Sequence, residues 1–244
     1  MTDHEALRAE VAERRWYHTL ELPGGIVTPG QFDHRPVLAQ YELPADLSGK
    51  RVLDIASFDG YWAFEMERRG GDVTCIDIPD VRDQDYPEPL RRKGVPETEQ
   101  QRTNFDVARE AFGSKVHRHL VTVYDVDKAG LGQFDFVFVG SLLLHLRDPI
   151  GALMSIRRVC RGTLMLVEET DEKLDKKFKD EPVARLASMT PWMTWWIPNT
   201  AALKEYLNAA GFLDVKQGNT FTIPFGTQKG GVRHTVLTAR SPGD

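Results

Sequence analysis

From residue 51 onward, short apolar runs alternate with amphipathic stretches of helical period, and this alternation constrains the fold more than any other feature. Residues 51–56 (RVLDIA) read as a strand and 62–69 (WAFEMERR) as a helix. Residues 72–78 (DVTCIDI) give a second strand, 103–112 a helix, and 119–123 (HLVTV) a third strand. The series continues with a strand at 134–139 (FDFVFV), a helix at 149–159 and a strand at 163–168 (TLMLVE). A helix at 200–210 then leads to two strands, 213–217 and 235–239, with no helix between them. Strands separated by helices predict a mostly parallel α/β sheet of seven strands with helices on both faces. The closing strand–loop–strand predicts an antiparallel strand at its end.

Before this core the pattern is different. Residues 2–15 read as a helix with Leu7 and Val11 on one face, and 16–41 as irregular chain rich in Pro and Gly. A loop of that length within a compact protein is usually functional or disordered, and the aromatics Trp16, Tyr17 and Phe32 argue for packing and so for function. The expected organisation is therefore an N-terminal helix and substrate-side loop over 1–47, then a core over 48–244 with an insertion at about 171–199.

Composition narrows the class. The net charge of −5 argues against a dedicated nucleic-acid surface. Two well-separated cysteines, Cys75 and Cys160, predict no disulfide framework and fit a reducing cytoplasm. No run suggests a membrane span or secretory leader, and no His, Asp or Glu cluster has metal-ligand spacing.

The chemistry concentrates at strand ends. The first strand runs through Asp54, Ala56, Ser57, Phe58 and Gly60 into a helix N-terminus, the place where open α/β sheets bind ligands. Asp77 and Ile78 end the second strand, where an acid can accept ribose hydroxyls. Tyr124, Asp125 and Val126 follow the third strand, and Gly140, Ser141 and His145 the fourth. His145 and His18 are the candidate bases, each with a plain structural role as its alternative. Tyr17, Thr28, Phe32, Trp192 and Trp195 are candidate substrate contacts; the last two belong to an apolar stretch, MTPWMTWW, inside the insertion.

Four segments in order carry a resemblance: WYHTLELPGGIVTPGQFD (16–33), RVLDIASFDGYWAFEMERRG (51–70), GSLLLHLRDPIGAL (140–153) and WWIPNTAALKEYLNAAGF (195–212). Together they resemble class I S-adenosylmethionine-dependent methyltransferases of the tRNA wobble-uridine (mo5U34) type and relatives of unknown substrate. The resemblance implies a Rossmann-like fold and a cofactor held by Asp54, Ala56, Ser57, Phe58, Gly60, Asp77, Ile78, Asp125, Val126, Gly140 and Ser141. The chain departs from that family in two ways. Ala56 and Phe58 stand where two glycines are usual, and no Lys or Arg falls in 21–31 to meet a carboxylated cofactor. Arg35 and Arg233 are the nearest candidates. The expectation is therefore ordinary S-adenosyl-L-methionine, no metal, and O- or N-methylation of a small molecule such as a secondary metabolite. A tRNA-modifying enzyme and a cofactor-binding protein without methyl transfer are the alternatives.

Overall fold

The computed structural model describes residues 3–94, 103–187 and 193–242. Seven strands form the central sheet: β1 (Arg51–Ile55), β2 (Asp72–Asp77), β3 (His117–Leu120), β4 (Phe134–Gly140), β5 (Cys160–Glu169), β6 (Leu213–Pro224) and β7 (Gly231–Arg240). Their spatial order is β6-β7-β5-β4-β1-β2-β3. The ladders β1–β2, β1–β4, β2–β3 and β4–β5 are parallel; β7 runs antiparallel to β5 and β6 antiparallel to β7. This is the expected Rossmann-like arrangement with its antiparallel end. The order reverses beside β1, so the first connection leaves one way and the third crosses back, opening a crevice at the strand carboxyl ends.

Strand residues alternate between two apolar clusters. Val52, Phe136, Phe138, Met165 and Val167 face one layer, and Leu53, Val137, Val139, Leu164 and Leu166 the other. Strands buried on both faces are apolar at nearly every position, which is why these segments read as near-continuous runs. The first layer holds α2 (Tyr61–Arg68), α3 (Asn104–Phe112) and the N-terminal segment with α1 (Asp3–Ala12). The second holds α4 (Pro149–Val159) and, after α5 (Glu172–Phe178), α6 (Thr200–Ala209). Their starts follow local chemistry: Thr103 and Asp106 make a capping box for α3, and Asp148 caps α4 ahead of Pro149.

Three expectations are corrected. Residues 16–41 are not irregular. Trp16–His18 pairs in parallel with Gly30–Phe32, Glu21–Leu22 pairs with Ile26–Val27, and a 3-10 helix spans Arg35–Tyr41. The Pro and Gly residues sit at the corners of these short ladders and end them without abolishing them. The third strand stops at Leu120, opposite Asp77 where β2 itself ends, so Val123 opens a 3-10 turn instead. The final hairpin is longer than expected because β6 is an edge strand, and its solvent-facing polar residues hide the pairing signal. Within the insertion, Ala184–Leu186 pairs with Trp196–Pro198; Met189, Thr190, Pro191 and Trp192 lie outside the described residues.

Gly30 marks the tightest approach in the N-terminal segment. A Cβ there would sit 2.1 Å from the carbonyl carbon of His18. Gly30→Ala should cost about 2 kcal/mol by forcing the two chains apart, read as a lower midpoint in chemical denaturation.

Candidate functional site

A cavity of about 540 Å³ opens at the carboxyl ends of β1, β2 and β4. One pole is the turn from β1 into α2. Ala56 (φ 60°), Phe58 (φ 50°) and Gly60 (φ 89°) are all left-handed. The conformation that glycines usually supply is thus kept, although two of the three residues carry side chains. At Gly60 a Cβ would lie 2.5 Å from the Phe64 ring, so that position admits no larger residue. The turn is tied down by Ser57 N donating to Ile76 O (3.0 Å) and Phe58 N donating to the Asp77 carboxylate (3.0 Å). Asp77 also accepts from Ile78 N (2.8 Å) and pairs with Arg118 (3.0 Å), whose guanidinium stacks over Phe105. Ala56, Phe58, Asp77, Ile78, Gly140 and Ser141 all line the cavity.

Several expected contacts do not reach it. Asp54 and Ser57 are buried beneath the turn, and desolvation pushes the Asp54 carboxyl well above its usual range. Gly60 caps α2 behind the wall. Asp125 is exposed and paired with Lys128, and Val126 is core. Because β3 ends at Leu120, it is Thr122, Val123 and Tyr124 that line this edge. Opposite them lie Asp83, Gln84 and Asp85. The Asp85 carboxylate accepts from Tyr124 Oη (2.5 Å) and Arg147 N (2.8 Å), and its carbonyl accepts from Trp195 Nε1 (2.5 Å). Trp195 therefore clamps this segment and is not itself a cavity wall; Met193, Thr194 and Ile197 line that side.

The other pole is an aromatic and histidine-rich chamber. Tyr17 packs against Phe32 and Phe58, both at 5.0 Å between ring centroids. His18 and His34 lie 5.2 Å apart, and His34 Nδ1 is 2.7 Å from Tyr41 Oη. Burial lowers His18 to about 3 and keeps His34 well below its ordinary value, so both rings are neutral near pH 7. Thr28 does not line the cavity. Its hydroxyl donates to His18 O and accepts from Leu20 N, holding the segment's turn. His145 lines the cavity with Nδ1 3.2 Å from the Met193 carbonyl.

Asp59 joins the two poles. Its buried carboxylate accepts from Tyr17 N (2.7 Å) and His18 N (2.9 Å), and desolvation raises it to about 7. Glu168 plays a related part at the end of β5. It accepts from Leu142 N and Leu143 N (2.7 Å each), with burial raising it to about 8.

Sequence reasoning missed His34, His234, Glu169 and Asp85, all of which line the cavity; Tyr124, which it named with Asp125 and Val126, lines it too. His34 directly follows the Phe32-Asp33 pair and could have been noticed. His234 and Glu169 gain meaning only through their ladder pairing. Neither Arg35 nor Arg233 faces the cavity: Arg35 is bidentate on Asp33, and Arg233 binds Asp175 and Thr170. Among the described lining residues there is no Lys or Arg, while Asp77, Asp83, Asp85 and Glu169 are acidic.

Comparison with known proteins adds to this geometry. Residues 35–217 match the family model described as a methyltransferase domain. The tRNA U34 carboxymethyltransferase of Klebsiella pneumoniae is 25% identical over 173 residues, covering 70% of this chain and 46% of that protein. Its Pseudomonas putida counterpart is 27% identical over 172 residues, covering 70% and 48%. The chain thus spans about half the length of these curated relatives. The N-terminal domain of EvdMO1, crystallised with S-adenosylhomocysteine bound, is 19% identical with a TM-score of 0.65, covering 99% of this chain and 98% of that one. The 1,6-didemethyltoxoflavin-N1-methyltransferase of Burkholderia thailandensis is 16% identical with a TM-score of 0.52, covering 100% and 80%. These two likenesses show a shared fold.

Asp59 gives a test of the link between poles. Its folded-state acidity is weaker than in the unfolded chain, so its contribution to stability is present below about pH 4 and lost as pH rises through about 7. Both backbone bonds go to Oδ2, which an amide oxygen can replace. Asp59→Asn should therefore raise stability above pH 7, with the gain vanishing toward pH 4, in urea titrations across pH. A variant less stable at pH 8 would contradict this account.

Proposed function

This chain belongs to the methyltransferase domain family, and from that premise we propose that it transfers the methyl group of S-adenosylmethionine to a small, largely apolar acceptor. The observation that carries the reading is the cavity's two-part character. A polar pole at the turn and Asp77 opens into an aromatic chamber with no Lys or Arg among its described lining residues. Volume and lining suit a small organic molecule.

The residues present fit the cofactor. The left-handed turn at Ala56 and Phe58, ahead of the α2 N-terminus, offers a backbone cradle for an amino-acid end. Asp77 retains a lone pair for a ribose hydroxyl beyond the three hydrogen bonds it already accepts. Ile78, Val123 and Tyr124 offer an apolar slot for a base, with Asp83–Asp85 across from it. When bound, S-adenosylmethionine supplies an electrophilic methyl on sulfonium. This chain's residues then have three tasks: to align the acceptor, to exclude water, and to receive a proton where the acceptor carries one. Alignment alone can contribute roughly 7–11 kcal/mol. The lack of a cation in the described lining favours the plain cofactor over a carboxylated one.

The tRNA-modifying relatives make RNA the second reading. The net charge of −5 and the acidic lining weigh against it, since phosphate contacts need cations. Transfer of label from S-adenosyl-[methyl-14C]methionine, offered to small-molecule extracts and to tRNA, separates the readings. Label in RNA, with steeply salt-dependent binding, would overturn the small-molecule reading; cofactor binding without transfer to any pool would indicate a non-methylating protein.

Asp77→Ala should weaken cofactor binding at least about tenfold by calorimetry, because it removes a charged acceptor and loosens the Phe58 amide. Unchanged affinity would count against the ribose assignment. His145→Ala should lower turnover more than cofactor affinity, as expected of a group on the acceptor side.

A further inference from the structure

Ser141 stands at the carboxyl end of β4, in mid-sheet, and lines the cavity. Its backbone is left-handed (φ 52°), an uncommon state for a residue with a side chain. Two anchors hold it there. Ser141 N donates to Val167 O (2.9 Å), and the buried Glu168 carboxylate takes the next two backbone N–H groups. The held conformation sets Ser141 Oγ 2.8 Å from Nε2 of His234, a buried residue of β7.

The protonation pattern follows from the partners. His234 Nδ1 lies 3.0 Å from the Val232 carbonyl, and a carbonyl can only accept. Nδ1 therefore carries the proton, and Nε2 offers its lone pair to the Ser141 hydroxyl. Burial lowers His234 to about 4, in keeping with a neutral ring. The Ser141 oxygen is left with lone pairs that have no other partner among the described residues. The cavity thus presents a hydrogen-bond acceptor backed by an imidazole. In the antiparallel ladder His234 stands directly opposite Glu169, another cavity-lining residue.

We propose that Ser141 and His234 form a proton relay for a hydroxyl acceptor, so that the substrate is an alcohol or phenol methylated on oxygen. This rests on the methyltransferase reading above. An amine brings a lone pair and needs no base at the moment of attack. A carboxylate or phosphate brings no proton and would meet the Ser141 lone pairs unfavourably. An alcohol must lose its proton as it is methylated, and a relay answers that need. The acceptor's O–H bond breaks as its oxygen bonds to the methyl carbon, while the methyl–sulfur bond breaks and its electron pair stays on sulfur. The acceptor's proton passes to Ser141 Oγ as the Ser141 proton passes to His234 Nε2. The resulting imidazolium, opposite Glu169 in the ladder, returns its proton to water on product release. Ser141 touches the acceptor; His234 acts through it.

The test uses the full chain, S-adenosylmethionine, and phenols graded from ionised to un-ionised at the assay pH. Ser141→Ala and His234→Gln should each lower kcat for un-ionised phenols by about 100-fold, and His234→Gln should do so with little change in KM. A phenol already ionised should lose no more than about threefold, since it has no proton to give. A purely structural role would lower both alike and would overturn the relay. Binding supplies a readout independent of turnover. With S-adenosylhomocysteine present, phenol should bind the wild type about tenfold more tightly than anisole, which has no hydroxyl to donate, followed by the fluorescence of the cavity-lining Trp62, and Ser141→Ala should abolish the preference. Equal or absent binding of the two compounds, or transfer to amines but not hydroxyls, would overturn the proposal. Failure of S-adenosylmethionine itself to bind would instead overturn the methyltransferase reading and, with it, this one.

Discussion

The two hydrogen bonds from Tyr17 N and His18 N to the Asp59 carboxylate are the constraint on which the rest of the site depends. Asp59 belongs to the turn between β1 and α2, while Tyr17 and His18 lie more than 40 positions earlier. The carboxylate is buried, which is unfavourable for a charge, and the two donors offset that cost. Without this tie, nothing in the turn would fix where Trp16–His18 runs, and the ladder it forms with Gly30–Phe32 would lose its anchor. Tyr17, His18, Phe32 and His34 would then no longer close the cavity. One side chain thus couples the left-handed turn to the aromatic chamber.

The same economy of anchoring recurs across the crevice. Asp77 holds the Phe58 amide, Glu168 the amides of Leu142 and Leu143, and Asp85 the Tyr124 hydroxyl and the Arg147 amide. In each case an acidic side chain fixes backbone or a phenol that the sheet alone would leave loose. The turn itself shows why this is needed. Ala56 and Phe58 adopt left-handed backbone that costs roughly 1–2 kcal/mol per residue relative to glycine, so the surrounding hydrogen bonds must determine it. Substituted glycines therefore do not imply a lost site. The conformation survives because neighbours enforce it.

The fold was largely legible because both faces of the sheet are buried. Val52–Ile55, Phe134–Val139 and Leu164–Val167 are apolar apart from Asp54 and Asp135, and that pattern is visible without coordinates. Edge elements were read poorly for the converse reason. Strand β3 is mostly exposed, so its polar residues HRHL carry little period, and the expected strand fell two to three residues late. The expected contacts are accordingly Tyr124, Asp125 and Val126, whereas Thr122, Val123 and Tyr124 line the cavity. Thr28 and Trp195 bond backbone and do not line the cavity, and residue type cannot tell a group that faces a ligand from one that braces the backbone.

What the sequence by itself determined was the α/β order of the core, the strand-end positions of Ala56, Phe58, Asp77 and Ser141, and the methyltransferase resemblance. These depend on local period and on residues close along the chain. Only the tertiary structure decided which side chains share the chamber. His18, His34, Ser141, Glu169 and His234 come from four separate stretches, brought together by the parallel crossover and the antiparallel ladder between β5 and β7. Pairing across a sheet is set by register between distant segments, and no single segment carries that register.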